Sequence, residues 1–395
     1  MVTPSFEIAK LPAIAFGEGS LSRVPGILAS YGRRLLLVRG ARSFRGSRYW
    51  PPLAENLTAL GTSWEEMEVS GEPSPALVDE AVSRFRGAGH DAVLGVGGGS
   101  VLDAAKAIAG LLPGGRSVMD HLEGAGRGVP YAGPSLPFVA VPTTAGTGTE
   151  ATKNSVLSVR GERGFKRSFR HDDLTARWAV VDPLLLESCP PRLVAADGMD
   201  ALTQLLEGYV SSRANSLTDA LAVSGLAAVR DGLLPWHDGT GELRTARSRM
   251  AYASLLSGIV LAQTGLGSVH GVASPLGAFF PIPHGVVCGT LVAAAVEVNV
   301  EAMRRREPEC AALGKYARAH AILAGAAEDV DRGPEALARL LREWTDRLDL
   351  PRLGAFGVGE ADLPHIVADS RGGSMKTNPI ALSDAEVAEV VRRRL

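Results

Sequence analysis

Cysteine is scarce in this sequence. The chain of 395 residues has three cysteines, Cys189, Cys288 and Cys310, which are scattered and odd in number. This pattern excludes a disulfide framework and is typical of reduced thiols in a cytoplasmic protein.

The sequence also lacks an excess of charge of one sign and a long apolar run. Its 41 Lys and Arg residues nearly balance its 43 Asp and Glu residues, so the formal net charge is −2. This balance gives no long-range attraction to nucleic acid or to a membrane surface. The first twenty residues lack the pattern of a signal peptide, and no run of about 18 apolar residues indicates a membrane span. We expect a cytoplasmic globular protein without a nucleic-acid or membrane partner.

Short β-rich segments alternate with amphipathic or alanine-rich segments up to about residue 183. The alternation predicts an α/β domain with a parallel sheet and crossover helices. Residues 155–169 predict a hairpin inserted before the last strand. The predicted strands are 34–38, 63–69, 91–97, 137–142 and 176–182, and the predicted helices are 77–89 and 100–112.

Beyond Pro183 the strand signals nearly vanish. Apolar residues instead recur at the i, i+3, i+4 and i+7 positions of amphipathic helices. We therefore predict two domains, an α/β domain over residues 1–185 and an all-helical bundle over residues 186–395. The main helical segments are 192–212, 216–234, 244–263, 310–325 and 333–348.

A glycine run lies between the apolar strand at 91–97 and the following alanine-rich helix. Gly97, Gly98, Gly99 and Ser100 stand at this junction. Glycines let a ligand approach the backbone, and a helix N-terminus directs free N–H groups at an anion. The junction therefore suits a pyrophosphate, although it matches neither GxGxxG nor a Walker loop. The alternative is a tight turn without a ligand.

A second small-residue stretch, VPTTAGTGTEAT at 141–152, follows the next predicted strand. Its threonine hydroxyls and glycines offer donors and close backbone approach. Two such loops at the carboxyl ends of neighbouring strands predict one shared nucleotide crevice.

The segment after the first predicted strand bears on cofactor choice. It contains Arg39, Gly40, Arg42 and Ser43 but no acid. NAD-selective enzymes often place a carboxylate near the ribose 2′-hydroxyl, so this segment favours NADP(H). The alternative is a set of exposed arginines on a loop.

Two histidines, His270 and His284, lie in the glycine- and proline-rich segment SVHGVASPLGAFFPIPHG, which we expect to be a loop. A metal site needs further ligands. Asp197, Asp200, Gln204 and Glu207 fall on one stripe of the otherwise apolar helix at 192–212. This stripe requires arginines, water or a cation, unless it is simply a partly exposed helix face.

Together these motifs resemble the iron-containing (group III) alcohol dehydrogenases, and they follow that family's order over most of the chain. The resemblance implies a Rossmann-like domain followed by a helical bundle, as in dehydroquinate synthase-like folds, and a homodimer. It also implies NADP or NAD and a divalent metal, Fe²⁺ or Zn²⁺. The motifs are GGGSVLDAAKAIA, PTTAGTGTEAT, VVDP, GMDALTQLLEGYVS and VHGVASPLGAFFPIPHG.

The resemblance also assigns residues. Asp200, His270 and His284 match metal ligands. Gln204 stands where the family usually has histidine, which leaves weak four-ligand coordination, a three-ligand site with water or a lost metal as alternatives, and we favour a retained metal. Ser274 stands where many members have another histidine. The candidate proton relays are therefore Ser274 with water or, alternatively, the ribose hydroxyl of the cofactor. The implied cofactor contacts are Gly97, Gly98, Gly99, Ser100, Asp103, Thr143, Thr144, Thr147 and Lys166, beside Gly40, Arg42 and Ser43.

The implied reaction is hydride transfer between a nicotinamide and a small aldehyde or primary alcohol. Arg371, Ser374, Lys376 and Asn378 lie in a segment that the family places near the catalytic cleft, which favours an anionic substrate. The alternative is a surface loop. Two other functions stay open: a dehydroquinate synthase-like lyase with bound nicotinamide, and a metal-free reductase or decayed nucleotide-binding homologue.

Overall fold

A computed structural model describes residues 5–41 and 43–395 of the chain. Its residue contacts divide the chain into two compact units. The α/β unit comprises Ala9–Val159 and Phe165–Cys189. The helical unit comprises Arg160–Gly164 and Pro190–Leu395, together with the N-terminal segment that ends at Ile8.

The α/β unit is built on a six-stranded parallel sheet with the strand order β1-β8-β5-β4-β2-β3, as the alternating pattern predicted. An antiparallel pair, β6 and β7, forms the predicted hairpin. The strands are β1 (Ala13–Phe16), β2 (Arg34–Gly40), β3 (Ser63–Val69), β4 (Ala92–Gly97), β5 (Phe138–Pro142), β6 (Asn154–Val159), β7 (Phe165–Arg170) and β8 (Trp178–Val181).

Four helices accompany this sheet, and the central strands are buried on both faces. Strand β4 is entirely buried, as expected of a parallel strand covered on both sides. The sequence reading missed β1 and the first two helices, which are short or begin with prolines at their first turn. The helices are α1 (Val24–Ala29), α2 (Trp50–Ala59), α3 (Pro75–Phe85) and α4 (Gly99–Leu111).

The helical unit contains nine α-helices among its described residues. They are α5 (Pro191–Val210), α6 (Ser216–Asp238), α7 (Leu243–Thr264), α8 (Ser268–Phe279), α9 (His284–Arg306), α10 (Ala311–Ala324), α11 (Gly333–Arg347), α12 (Leu363–Asp369) and α13 (Asp384–Arg392). Helix α9 is long and apolar enough to cross a membrane, but 83% of its most apolar window is buried inside the fold. Such burial is typical of a core helix.

Helix α4 carries a buried lysine that fixes the segment after β5. The Lys106 ammonium is fully buried and donates to the carbonyl oxygens of Thr149, Thr152 and Asn154 at 2.8–2.9 Å. These charge-assisted bonds satisfy two main-chain oxygens of the threonine-rich stretch at 141–152 and one at the first residue of β6. Lys106 therefore holds the loop between β5 and β6 against α4.

Glu150, in the same loop, is a buried carboxyl whose ionisation should oppose folding. Burial raises its pKa from 4.5 to about 7, despite the nearby Lys106. Between these pH values the folded chain keeps a proton that the unfolded chain releases. The contribution of Glu150 to stability is therefore present below pH 4.5 and is lost as the pH rises to 7.

We predict that Glu150→Gln removes this pH dependence. From pH 4.5 to 7.5 the free energy of unfolding of the variant should rise by roughly 3 kcal/mol relative to that of the wild type, because the amide cannot ionise. Denaturant titrations of both proteins at the two pH values measure the difference. Parallel pH profiles would show that Glu150 is already ionised in the folded protein.

Candidate metal and dinucleotide sites

The polar stripe on α5 lies inside the helical unit. Asp200, Gln204 and Glu207 are 1%, 3% and 7% exposed, which rules out a solvated helix face for these three. Buried carboxylates are costly unless they are paired or bind a cation. The stripe must therefore have partners within the fold.

Glu207 forms hydrogen bonds with the first turn of helix α8. One of its carboxylate oxygens accepts from the main-chain N–H of Val269, and the other accepts from His270 Nδ1, both at 2.7 Å. The side chain of Asn378 accepts from the N–H of Ser268 at 3.0 Å. These distant residues satisfy two of the free N–H groups of the first helical turn, a task that a local cap usually performs.

The predicted loop around the two histidines is therefore wrong. His270 lies in α8 and His284 is the first residue of α9, with a short turn between the two helices. Glycine and proline weaken the helical signal of this segment, but caps supplied by α5 and by the C-terminal segment override it.

The structure brings together the three residues that the resemblance assigned to the metal. Oδ1 of Asp200 lies 3.2 Å from His270 Nε2 and 3.8 Å from His284 Nε2. Because Nδ1 of His270 donates to Glu207, Nε2 is the ring nitrogen that faces Asp200. The arrangement of carboxylate, histidine and cation ligand is common at metal centres.

Cys288 completes this cluster, and the sequence reading missed it. One ligand atom from each of Asp200, His270, His284 and Cys288 lies within 4.8 Å of the others. Cys288 is four residues after His284, so both project from one face of α9. That spacing was the available signal.

The ionisation of the cluster fits a cation. Burial would raise the pKa of Asp200, but His284 and His270 lower it to about 2. The carboxylate is therefore charged at neutral pH. Burial raises the pKa of the Cys288 thiol to about 12, so without a cation the sulfur keeps its proton. A cation-bound thiol is deprotonated.

Gln204, predicted as a fourth ligand, has a different place. Its Nε2 donates to Oδ2 of Asp200 at 3.3 Å, while its Oε1 accepts from the Ser257 hydroxyl at 2.9 Å. Gln204 thus contacts the Asp200 oxygen other than the one beside the histidines. It steadies the carboxylate and does not direct its amide oxygen into the cluster.

Ser274, the candidate proton relay, lies one turn after His270 on α8 and is half-buried. Residues four apart share a helix face, so Ser274 and His270 project from the same side of α8. The serine therefore shares the helix face that carries His270, and its role as a relay stays a prediction.

In the α/β unit, the glycine turn and the threonine loop lie against each other. Gly97, at the end of β4, pairs with Pro142 at the end of β5. A Cβ on Gly98 would come within 3.2 Å of the Thr144 side chain, and one on Gly99 within 2.6 Å of Thr147 Oγ1. Only glycine leaves this approach open. The predicted common location of the two loops is confirmed.

The glycine turn leads directly into the N-terminus of helix α4. Helix α4 begins at Gly99, with Gly98 as its N-cap and Ser100 in its first turn. Gly98 supplies no side-chain cap, so the free N–H groups of the first turn have no local side-chain acceptor at that position. Such an end suits an anion, and we assign no bound group to it from the fold alone.

Asp103 is one turn further along α4 and has an unsatisfied carboxylate oxygen. Its Oδ1 is buried and has no hydrogen-bond partner among the described residues. Burial raises the pKa of Asp103 to about 7, although Lys106 opposes this. A buried, unsatisfied acceptor is costly, and a ligand hydroxyl could satisfy it.

Lys166, another assigned cofactor contact, forms an ion pair that the sequence reading did not anticipate. Its Nζ lies 2.8 Å from Glu72, whose other oxygen accepts from the Ser158 hydroxyl at 2.8 Å. Lys166 is held at the hairpin by these bonds. Thr143 is tied to the glycine turn, because its N–H donates to the carbonyl of Gly97 at 3.0 Å.

The end of β2 lies beside acidic side chains that come from another part of the sequence. Arg39 binds Glu66 at 2.8 Å and Glu68 at 3.3 Å, and both glutamates come from the neighbouring strand β3. Acidic side chains do lie beside this segment, which weakens the prediction of NADP(H). Gly40 faces α4, since a Cβ there would lie 3.8 Å from Val101. Ser43 is exposed, and Arg42 lies outside the described residues.

The segment 370–379 packs on the start of α8, within the helical unit. A Cβ on Gly271 would meet Met375 at 2.9 Å, so this segment lies next to the residue that follows His270. Arg371 forms an ion pair with Asp384, and the side chain of Asn378 caps the N-terminus of α8. Lys376 is exposed, and no ion-pair partner is found for it among the described residues.

Family models cover nearly the whole chain. Residues 12–183 match the model described as iron-containing alcohol dehydrogenase. Residues 194–395 match the C-terminal model of the same family. The chain belongs to the iron-containing alcohol dehydrogenase family.

Individual members of the family agree with this assignment. Alcohol dehydrogenase 4 of Saccharomyces cerevisiae is 31% identical over 323 residues, which cover 81% of this chain and 80% of the yeast protein. The structure of an iron-containing alcohol dehydrogenase from Thermotoga maritima is 30% identical, covers 99% of both chains and has a TM-score of 0.83.

A third relative is a sulfoacetaldehyde reductase from Bifidobacterium kashiwanohense, solved in complex with NAD⁺. It is 26% identical, covers 99% of both chains and has a TM-score of 0.84. These members confirm that the chain is a metal-dependent, NAD(P)-linked oxidoreductase of alcohols and aldehydes. They do not favour the lyase or the decayed homologue.

Because Glu207 orients His270, this alcohol dehydrogenase should need it for metal affinity. We predict that Glu207→Gln weakens zinc binding by roughly 10–100-fold, the usual effect of losing a partner behind a metal-binding histidine. Competition with a chromogenic chelator measures the dissociation constant.

The control for this experiment is Asp219→Asn, which removes the carboxylate that pairs with Lys315 in the same helical unit. This variant should bind zinc as the wild type does. Equal affinity of the Glu207 variant and the wild type would show that the Glu207–His270 bond does not govern metal binding.

Proposed function

We propose that this protein interconverts a small anionic aldehyde and its primary alcohol with NAD(P)H, using a divalent cation held by Asp200, His270 and His284. The observation that carries this proposal is the convergence of one carboxylate and two imidazoles, from three helices, on one buried place. The donor set is one that Zn²⁺ and Fe²⁺ accept.

A cation bound there would polarise the carbonyl oxygen and stabilise the negative charge that develops on it during hydride transfer. The protein residues supply the rest. Glu207 fixes the His270 ring, and the amide of Gln204 holds the Asp200 carboxylate. We assign to Ser274 Oγ the transfer of a proton to the nascent alcohol.

We also propose that the α/β unit binds the dinucleotide at the glycine turn. The free N–H groups at the start of α4 would bind the diphosphate, and Thr144 and Thr147 line the same turn. The buried Asp103 Oδ1 would accept from a cofactor hydroxyl. We assign Gly40, Ser43, Thr143 and Lys166 as further cofactor contacts, and Arg42 from the sequence alone.

A panel of aldehydes tests the activity. The wild-type protein, loaded with zinc or with iron, should oxidise NADH or NADPH in the presence of a short aldehyde and lose this activity after dialysis against a chelator. Assays with both nucleotides decide the cofactor preference. Turnover that survives complete metal removal would contradict the proposal, as would a loaded protein that reduces no aldehyde with either nucleotide.

Lys376 is the candidate that recognises the anionic end of the substrate. It is exposed beside Met375, which contacts α8 next to His270. The relative that reduces sulfoacetaldehyde shows that the family includes an enzyme for an anionic aldehyde. The position of Lys376 therefore favours an anionic aldehyde as the substrate over the alternative that this segment is a surface loop without a ligand.

We predict that Lys376→Ala raises KM for a sulfonate- or carboxylate-bearing aldehyde about tenfold or more, while kcat/KM for a neutral aldehyde of equal length changes little. A single charge-assisted contact is worth about 1.5–3 kcal/mol. Lys376→Arg is the control and should retain most of the preference. An equal loss of kcat/KM for the anionic and the neutral aldehyde would contradict the proposal of an anionic substrate.

We further propose a cytoplasmic homodimer without a nucleic-acid or membrane partner. Strand β1 is at the edge of the sheet, and its Ile14 and Phe16 side chains are each 39% exposed. Natural proteins rarely leave an apolar edge strand uncovered, and a second copy of the chain would cover it.

Light scattering of Ile14→Lys tests this arrangement. The wild type should elute at the mass of two chains, and the variant should shift toward one chain because a buried charge would oppose the pairing. Lys10→Glu, close by on the same segment, is the control for a change of charge alone. A monomeric wild type would contradict the proposal.

A further inference from the structure

Cys288 lies where the sulfur of a fourth metal ligand would be. Its Sγ is 3.6 Å from His270 Nε2 and 3.7 Å from His284 Nε2, and the side chain is fully buried. The sulfur also lies within 4.8 Å of a carboxylate oxygen of Asp200. A buried cysteine that only fills space contacts apolar groups. This one lies against two imidazoles and a carboxylate, although a thiol has one proton to donate.

The separations within the cluster match a four-coordinate cation. With metal–nitrogen and metal–oxygen bonds near 2.1 Å and a metal–sulfur bond near 2.3 Å, the ligand atoms of a tetrahedral zinc site lie roughly 3.3–3.8 Å apart. Four of the six separations among Asp200 Oδ1, the two Nε2 atoms and Cys288 Sγ run from 3.2 to 3.8 Å. One ligand atom of each residue lies within 4.8 Å of those of the other three. The four side chains are therefore close enough together to bind one small cation.

Gln204 is not placed for the same role. It contacts Asp200 Oδ2, whereas both histidines approach Oδ1. Its own oxygen accepts from Ser257. The position at which the family usually supplies an imidazole is thus occupied by an amide that positions Asp200, and the fourth donor comes from α9.

We propose that Cys288 is the fourth protein ligand of the metal and that its thiolate makes the site prefer Zn²⁺ to Fe²⁺. This inference rests on the proposed metal site of Asp200, His270 and His284. Thiolate is a softer donor than an amide oxygen, and it shifts selectivity toward zinc. The thiol proton leaves to solvent when the cation binds.

Cobalt substitution tests the ligand directly. Co²⁺ bound to a thiolate shows a sulfur-to-cobalt charge-transfer band in the near ultraviolet, separate from its visible bands. The metal-free full-length protein is titrated with Co²⁺, and we expect one equivalent to bind with both sets of bands. Cys288→Ser should lose the charge-transfer band and bind zinc at least about tenfold more weakly.

One variant serves as the matched control. Cys310→Ser removes another cysteine of the helical unit and should keep the charge-transfer band. In competition between Zn²⁺ and Fe²⁺, the preference for zinc should shrink in Cys288→Ser and persist in Cys310→Ser.

The possible outcomes distinguish a failure of the Cys288 ligand from a failure of the proposed metal site as a whole. Visible cobalt bands without a charge-transfer band in the wild type would overturn the Cys288 ligand and leave the proposed metal site standing. Failure of the wild type to bind Co²⁺ or Zn²⁺ would overturn both. X-ray absorption at the zinc edge of the wild type needs no variant: one sulfur neighbour supports the proposal, and only nitrogen and oxygen neighbours contradict it.

Discussion

The hydrogen bonds from Glu207 to helix α8 are the constraint on which the metal site depends. A single carboxylate accepts from the Val269 N–H and from His270 Nδ1, so it starts the helix and orients the ring at once. Glu207 and Asp200 are both buried, and two uncompensated carboxylates there would be costly. The histidines, and a cation when it binds, compensate this charge. The site and the helical unit therefore stabilise one another.

The α/β unit uses a comparable arrangement with the opposite charge. Lys106 is buried under the loop that follows β5 and satisfies three of its carbonyls. That loop contains the threonine-rich stretch, whose Thr144 and Thr147 lie against the glycine turn. In each unit, then, one buried charged side chain from a core helix fixes the segment that carries the candidate ligand contacts.

The sequence predicts the regular parts of the fold well. Strands β2, β4, β5 and β8 follow from short apolar runs that alternate with helical segments. Strand β3 follows from a short run in which apolar and acidic residues are interspersed. The histidine segment was misread because its helices depend on caps from Glu207 and Asn378, which are distant in sequence. The acids beside Arg39 were missed for the same reason, since they come from the neighbouring strand. Local patterns do not show such contacts.

The candidate site was predicted in part. Asp200, His270 and His284 could be named from motifs, because the resemblance carries them residue by residue. The orientation of Gln204 could not be predicted, because a sequence does not show which partner each end of a side-chain amide contacts. Cys288 was readable from its spacing to His284, but a single cysteine without its neighbours in space has many explanations.

The central claim is that Asp200, His270 and His284 hold one divalent cation. Anomalous diffraction at the zinc and iron absorption edges, from crystals of protein purified without chelator, tests it most directly. The account predicts one strong anomalous peak bounded by Asp200 Oδ1 and the two Nε2 atoms. A well-ordered cluster with no peak, or a peak bound elsewhere in the chain, would contradict it.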